Sequence, residues 1–497
     1  MIGSSRSYAI GMAHFQLAGG ALSLGLMLSA YALIFGAVVG SYLYYGGTPY
    51  APAKITDAAI TILFMVEALV LLLFGAARIS LAIRNDVSSR MMESHRLMPI
   101  PAWRAVAGYL LGGTTHALAF AGLTLIFAWI LAAAAHVPLG DVAFNQGLLL
   151  LFAGLVWSAA ALLTLIYRHA FFIALGMALL GICSSFLVYA TIFLPGVLLL
   201  MGPLIGQTVF RYSSPVRLEW GFAASIAGQA AFFALFFNGA CRRYRGMYAT
   251  TFTATQAFLL VLAWVFVSVC GMGAWKQFLM LPRPYEWDQP GFYAMQVVAS
   301  IVVGMLLSLI PAYTMAVEQG ESRRMAYLAW PLVVVTAVAL ALIPFGTDQI
   351  GGLTWKNVGI TFLTVAPFVM AAYLFCRWYR LVAFGWVVLW LSVGVVVLWL
   401  APMVVALVAY LVLPGDSQKI LQTITTLSPI GLLIDRWVEE PRDQVSPIAG
   451  MIVQWVGPGM LLLLAWALRR VKRGATEDRS GGSGMAAVGV PAPPAVG

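Results

Sequence analysis

Apolar residues in this chain come in long runs separated by short polar stretches, and the length of the runs sets the expected structure. They fall near 18–46, 56–83, 101–134, 147–167, 170–200, 220–241, 253–275, 292–316, 326–345, 357–375, 381–413 and 449–468. A helix needs about 20 apolar residues to cross the hydrocarbon core of a bilayer, whereas barrel strands alternate over roughly ten. The pattern predicts an all-α, polytopic membrane chain with about twelve transmembrane helices. The stretch from Arg84 to Pro101 reads differently. On a 3.6-residue period Met91, Met92, His95 and Met98 share one side, while Arg90, Glu93, Ser94 and Arg96 spread over the rest. A short amphipathic helix is expected there, stopped by Pro99 and Pro101. Pro101 suits the first turn of the following helix, where its missing amide hydrogen costs nothing.

Two distant stretches end alike. Gly202-Pro203-Leu204-Ile205-Gly206 with Arg211 runs through an apolar span to Arg242-Arg243-Tyr244-Arg245, and Ser428-Pro429-Ile430-Gly431 with Arg436 runs to Arg469-Arg470-Val471-Lys472. Pro203 and Pro429 lie 226 residues apart, and Arg242 and Arg469 lie 227 apart. A six-helix unit used twice is expected, over 1–246 and 247–473, as in membrane proteins built around a pseudo-symmetry axis. The second half carries Glu318-Gln319-Gly320-Glu321-Ser322-Arg323-Arg324-Met325 where the first carries Ser89-Arg90-Met91. Around 197–210 and 420–434, apolar residues are interrupted by Gly, Pro, Thr and Gln over lengths too short to span. Re-entrant or interfacial helices and loops resting on the headgroups both fit that pattern.

Composition agrees with the spans. With 62% hydrophobic and 9% charged residues and a mean hydropathy of +0.92, most of the chain lacks the polar residues to cover a soluble domain. With both termini cytoplasmic, 19 of the 28 Lys and Arg fall on the inner side and nine on the outer. That bias follows the positive-inside rule and places the chain in the cell membrane with both ends inside. The net charge of +10 is then a basic face toward anionic membrane lipids, and no nucleic acid is needed to explain it. The four cysteines, Cys183, Cys241, Cys270 and Cys376, have no paired spacing, so neither a disulfide framework nor a metal site is expected. The apolar run from Ala18 to Tyr45 is too long for the core of a signal peptide and is expected to remain as the first helix. The tail over 474–497 is mostly Gly, Ser, Ala and Pro and is expected to be disordered. Trp103, Trp220, Trp287, Trp355 and Trp437 lie near expected interfaces, where an indole can be half wet.

The run Glu93-Ser94-His95-Arg96-Leu97-Met98-Pro99-Ile100-Pro101, followed by Ala105-Val106-Ala107-Gly108-Tyr109-Leu110-Leu111-Gly112, resembles the cytoplasmic stretch of ABC-2 type transporter permeases. In that family an acidic, polar turn precedes a leucine, a proline and a glycine-containing helix. The resemblance implies a membrane permease subunit of an ABC transporter, an exporter, driven by a separate ABC ATPase subunit that docks on this stretch as a coupling helix. It also implies short re-entrant helices before the sixth span. The likeness covers 1–246 throughout and 247–473 more weakly, chiefly in Glu318–Met325 and Ser428–Arg470. Most such permeases have one six-span unit and dimerise, whereas this chain holds two. The resemblance implies ATPase coupling through Arg90, Glu93, His95 and Arg96 in the first half and Glu318, Glu321, Arg323 and Arg324 in the second.

A phosphate-binding loop needs G-x-x-x-x-G-K-[ST], and the sequence has none; Gly271-Met272-Gly273-Ala274-Trp275-Lys276 is the nearest cluster and lacks the spacing. No cofactor or catalytic residue is expected in the chain, so energy must come from a separate ATPase or from an ion gradient. A gradient-driven twelve-span carrier needs ionisable groups within the membrane, where burying charge costs several kcal/mol. Glu67 in the second span and His116 in the third are the intramembrane candidates, and an antiparallel pair of helices lets them meet; a hydrogen-bonded pair or a neutral Glu67 holding two helices together, and a proton or substrate site, are the readings this leaves open. A lipid-linked glycosyl transferase, the third class, often places paired acids in its first outer loop; residues 46–53 have none, though Glu286 and Asp288 occupy a later one. The apolar pathway residues do not specify the cargo.

Overall fold

Helices carry the part of the chain that the computed structural model describes: residues 66–97, 100–134, 139–166, 220–246 and 251–278, with shorter pieces or single positions within 25–64, 196–200, 300–307 and 367–463. Among the described residues there is no strand. In chain order the helices are α1 (Val66–Ser88), α2 (Met91–Leu97), α3 (Ala102–Gly113), α4 (Thr115–Ala134), α5 (Leu139–Ile166), α6 (Trp220–Arg245) and α7 (Ala254–Phe278). All seven belong to one compact unit, and the described residues from 367 onward belong to a second. Stretches within α1, α4, α5 and α6 are long and apolar enough to cross a membrane, and α7 holds a shorter apolar stretch, Thr255–Gly271.

Packing fixes the relative directions of α1, α5, α6 and α7. A Cβ placed on Gly154 of α5 would lie 3.7 Å from the Phe233 ring of α6, and one on Gly239 of α6 would meet Leu162 of α5 at 3.4 Å. Phe144 and Phe222 meet edge to face at 6.3 Å, so α5 and α6 run parallel. Gly228 faces Val267 and Gly239 faces Phe252, which makes α6 and α7 antiparallel. The chain enters α7 through a capping box: the Thr253 amide donates to Gln256 Oε1 and the Gln256 amide donates to Thr253 Oγ1, both at 3.1 Å.

A polar seam joins α1 to α5. Gln146 Nε2 donates to Glu67 Oε1, Trp157 Nε1 donates to the Leu71 carbonyl at 2.8 Å, and Thr164 Oγ1 donates to Ser80 Oγ at 2.9 Å. The order of these contacts makes the two helices parallel. Between apolar lipid tails, packing and such interhelical hydrogen bonds hold helices together where the hydrophobic effect does not. The middle contact coincides with a widened π turn at Val70–Phe74. Gly75 follows it, and a Cβ there would lie only 2.5 Å from Trp157 Nε1, so only glycine admits the indole.

Two boundaries differ from the sequence expectation. The single span expected over 101–134 is broken: α3 ends at Gly113, Thr114 is a turn, and the ladder restarts with the Leu118 amide on the Thr114 carbonyl at 2.8 Å. The hydroxyls of Thr114 and Thr115 take the carbonyls of Leu110, at 2.6 Å, and Leu111, at 2.9 Å. Side chains that compete for main-chain carbonyls, beside Gly112 and Gly113, weaken the helix there. Thr115–Ala133 alone has membrane-crossing length and apolarity. The fourth span, expected from 147, begins instead at Leu139. Asn145 and Gln146 read as loop residues, yet both are buried inside the helix.

Candidate functional site

α2 is seven residues long, too short to persist alone, and its pose depends on its flanks and inner face. The turn before it ends α1: the Ser89 amide reaches the Asn85 carbonyl at 2.9 Å, and the Ser89 hydroxyl reaches the same carbonyl at 2.7 Å. Arg90 then takes a left-handed conformation, φ 59°, at the position where helices usually place glycine. The Glu93 amide donates back to the Arg90 carbonyl at 3.1 Å. A reversal of this kind aims α2 back toward the bundle.

The inner face of α2 is made by Met92 and Arg96, four residues apart and therefore on one side. Met92 is buried in the main core cluster. Arg96 Nε donates to the Tyr244 carbonyl at 2.6 Å, with a longer contact from Nη2 to the Arg243 carbonyl at 3.5 Å. Its guanidinium lies 5.9 Å from the Tyr244 ring centre. The last carbonyls of α6 have no intrahelical donors and carry the negative end of the helix dipole, so a guanidinium is well matched to them. The Tyr244 ring meets Tyr109 of α3 edge to face at 6.3 Å, and the Tyr109 hydroxyl donates to Asp86 Oδ2 of α1. Arg96, Tyr244, Tyr109 and Asp86 thereby connect α2 with α6, α3 and α1.

This arrangement corrects the expected faces of α2. Arg96, expected among the outward polar residues, points inward because the end of α6 offers it acceptors; Met91, expected on the apolar side with Met92, is 52% exposed. The outward surface consists of Arg90, Met91, Glu93, Ser94 and Leu97, all exposed. His95 lies in α2, but its side chain is outside the described residues, as are Glu318, Glu321, Arg323 and Arg324.

The intramembrane candidates Glu67 and His116 are not hydrogen-bonded to each other. Glu67 is buried and takes its hydrogen bond from Gln146 of α5. His116 is buried in the first turn of α4, and neither ring nitrogen has a hydrogen-bond partner, so no hydrogen bond joins it to Glu67. Gln146 was hidden from sequence reasoning because it sits at the edge of an apolar run; only its burial identifies it as the partner. Tyr109, Tyr244 and Asp86 were equally hidden, since nothing in their spacing along the chain signals that they meet.

Comparison with protein-family models, with curated proteins and with solved structures returned no match.

Proposed function

We propose that this chain is the membrane permease subunit of an ABC exporter, with cytoplasmic termini, and that a separate ATPase drives it through α2. The observation that carries the reading is the two-sided construction of α2. Its inner face is fastened to α6 through Arg96, and its outer face presents Arg90, Glu93 and Ser94 beside the exposed apolar Met91 and Leu97. A short helix held between membrane helices by its inner face, with a mixed charged and apolar outer face, can receive a push and pass it on. The sequence likeness of Glu93–Gly112 to ABC-2 permeases points the same way.

A repeated contact supports two related halves. Buried Gln229 of α6 donates through Nε2 to the Leu200 carbonyl at 2.7 Å. In the second unit Gln454, within a helix over 452–460, donates through Nε2 to the Leu427 carbonyl at the same 2.7 Å. The donors lie 225 residues apart and the acceptors 227 apart, close to the offsets of the Pro and Arg repeats. The same kind of latch, in the same order along the chain, ties the last helix of each half to the segment before it.

The test is purification of the full chain from its own cells followed by an ATP hydrolysis assay. Co-elution of a hydrolysing subunit is expected; a chain that moves its cargo without one would refute the proposal. A gradient-driven carrier is the second reading, favoured by the buried Glu67–Gln146 contact. Transport by Glu67→Gln separates the two, because an ATP-driven permease keeps its activity and a carrier using Glu67 loses it with assembly intact.

A further inference from the structure

The end of α6 and the start of α3 enclose a cleft of about 400 Å3 lined by Arg96, Ile100, Pro101, Ala102, Tyr244 and Arg245. Its chemistry is one-sided. Two arginines line it and no acid does. Arg96 is committed to the carbonyls of α6, but Arg245 is exposed and has no hydrogen-bond or ion-pair partner among the described residues. Ala102 opens α3, and the N-cap residue Pro101 supplies no side-chain acceptor to that helix end, which adds a partial positive charge on the same wall. The remaining walls are apolar: Ile100, Pro101 and the Tyr244 ring.

We infer that this cleft binds the phosphate headgroup of an anionic phospholipid, with Arg245 as the principal contact. Charge alone fits any small anion. The apolar walls and the setting favour a lipid. The cleft lies at the end of α6, a helix of membrane-crossing length, on the side proposed as cytoplasmic, where anionic lipids concentrate and basic pockets between helices hold their headgroups. Trp103, next along the chain, is 52% exposed with Arg104 stacked 5.1 Å from its ring centre, and Leu97 is 88% exposed. An exposed indole beside a guanidinium suits the headgroup layer. The inference needs the chain to sit in a bilayer but does not depend on the ATPase reading.

The experiment places the full chain in nanodiscs of phosphatidylcholine containing a minority of phosphatidylglycerol and measures the lipids retained on the protein by native mass spectrometry. Phosphatidylglycerol should be retained above its share of the disc. Arg245→Gln should lower that enrichment roughly fivefold, the weight of one basic residue at an anionic surface, while Arg245→Lys keeps most of it. Thermal melting of all three proteins should coincide, since Arg245 is exposed and has no hydrogen-bond or ion-pair partner among the described residues. Equal retention of the two lipids, or undiminished enrichment in Arg245→Gln, overturns the inference. Full displacement of the lipid by millimolar glycerol phosphate also overturns it, by making the cleft a site for small anions.

Discussion

Gly75 and Trp157 concentrate, in one contact, what holds α1 against α5. Gly75→Ala must move either the indole or the backbone, because the new methyl would start 2.5 Å from Trp157 Nε1. A loss of about 1–3 kcal/mol is expected from the overpacking, read as a lower melting temperature in detergent. Gly122→Ala in α4 is the control: nothing lies within 4 Å of its added methyl, so the usual helix gain of roughly 0.5–1 kcal/mol over glycine should appear. The Glu67–Gln146 contact is measurable by a double-mutant cycle with Glu67→Leu and Gln146→Leu. A coupling of about 0.6 kcal/mol, and at most about 1.7, is expected for one interhelical hydrogen bond in a membrane. Zero coupling would mean the two side chains act independently. Glu67 was legible in the sequence because a carboxyl within an apolar run stands out. Gln146 was not, because a polar residue at the margin of a run looks like the loop it adjoins.

Among the elements, α2 is the one whose position rests on few contacts. Arg90 takes a backbone conformation that glycine adopts without strain. Arg90→Gly should therefore leave the turn intact, whereas Arg90→Val should disorder α2, a contrast visible in hydrogen exchange over 91–97. Arg96→Ala removes the grip on α6 and should speed exchange in the same segment. A charge-assisted hydrogen bond of this kind contributes roughly 1.5–3 kcal/mol, so a rise of about ten-fold or more in local opening is expected. Unchanged exchange would show that Met92 alone suffices. The existence of α2 could be read from periodicity and from the prolines after it. Its facing could not, because a rule that turns charge outward fails where the carbonyl end of another helix provides a partner. The break at Thr114 was missed for a related reason: the apolar pattern continues across it, and only the local competition of two threonine hydroxyls interrupts the ladder.

At the scale of the molecule, the long apolar runs told most of what the described fold contains: helices only, with several of membrane-crossing length. The similar contacts Gln229–Leu200 and Gln454–Leu427 support the proposed duplication, which the sequence marks only by scattered Pro, Gly and Arg. Gln229→Leu and Gln454→Leu should lower thermal stability by similar amounts if the halves are related; a large cost at one and none at the other would count against the duplication. The central claim is that the outward face of α2, with its counterpart in the second half, is where an ATPase takes hold. The most direct measurement is a pull-down of the ATPase by the full chain carrying Arg90→Glu, Glu93→Lys, Glu321→Lys and Arg323→Glu. Arg90→Glu and Glu93→Lys reverse exposed charge at and just before α2 and leave Met92 and Arg96 in place, while Glu321→Lys and Arg323→Glu reverse the charges of the second-half segment, which lies outside the described residues. The account predicts that the four-fold variant assembles and melts like the parent but no longer retains the ATPase. An ATPase held as firmly by the variant as by the parent would contradict it.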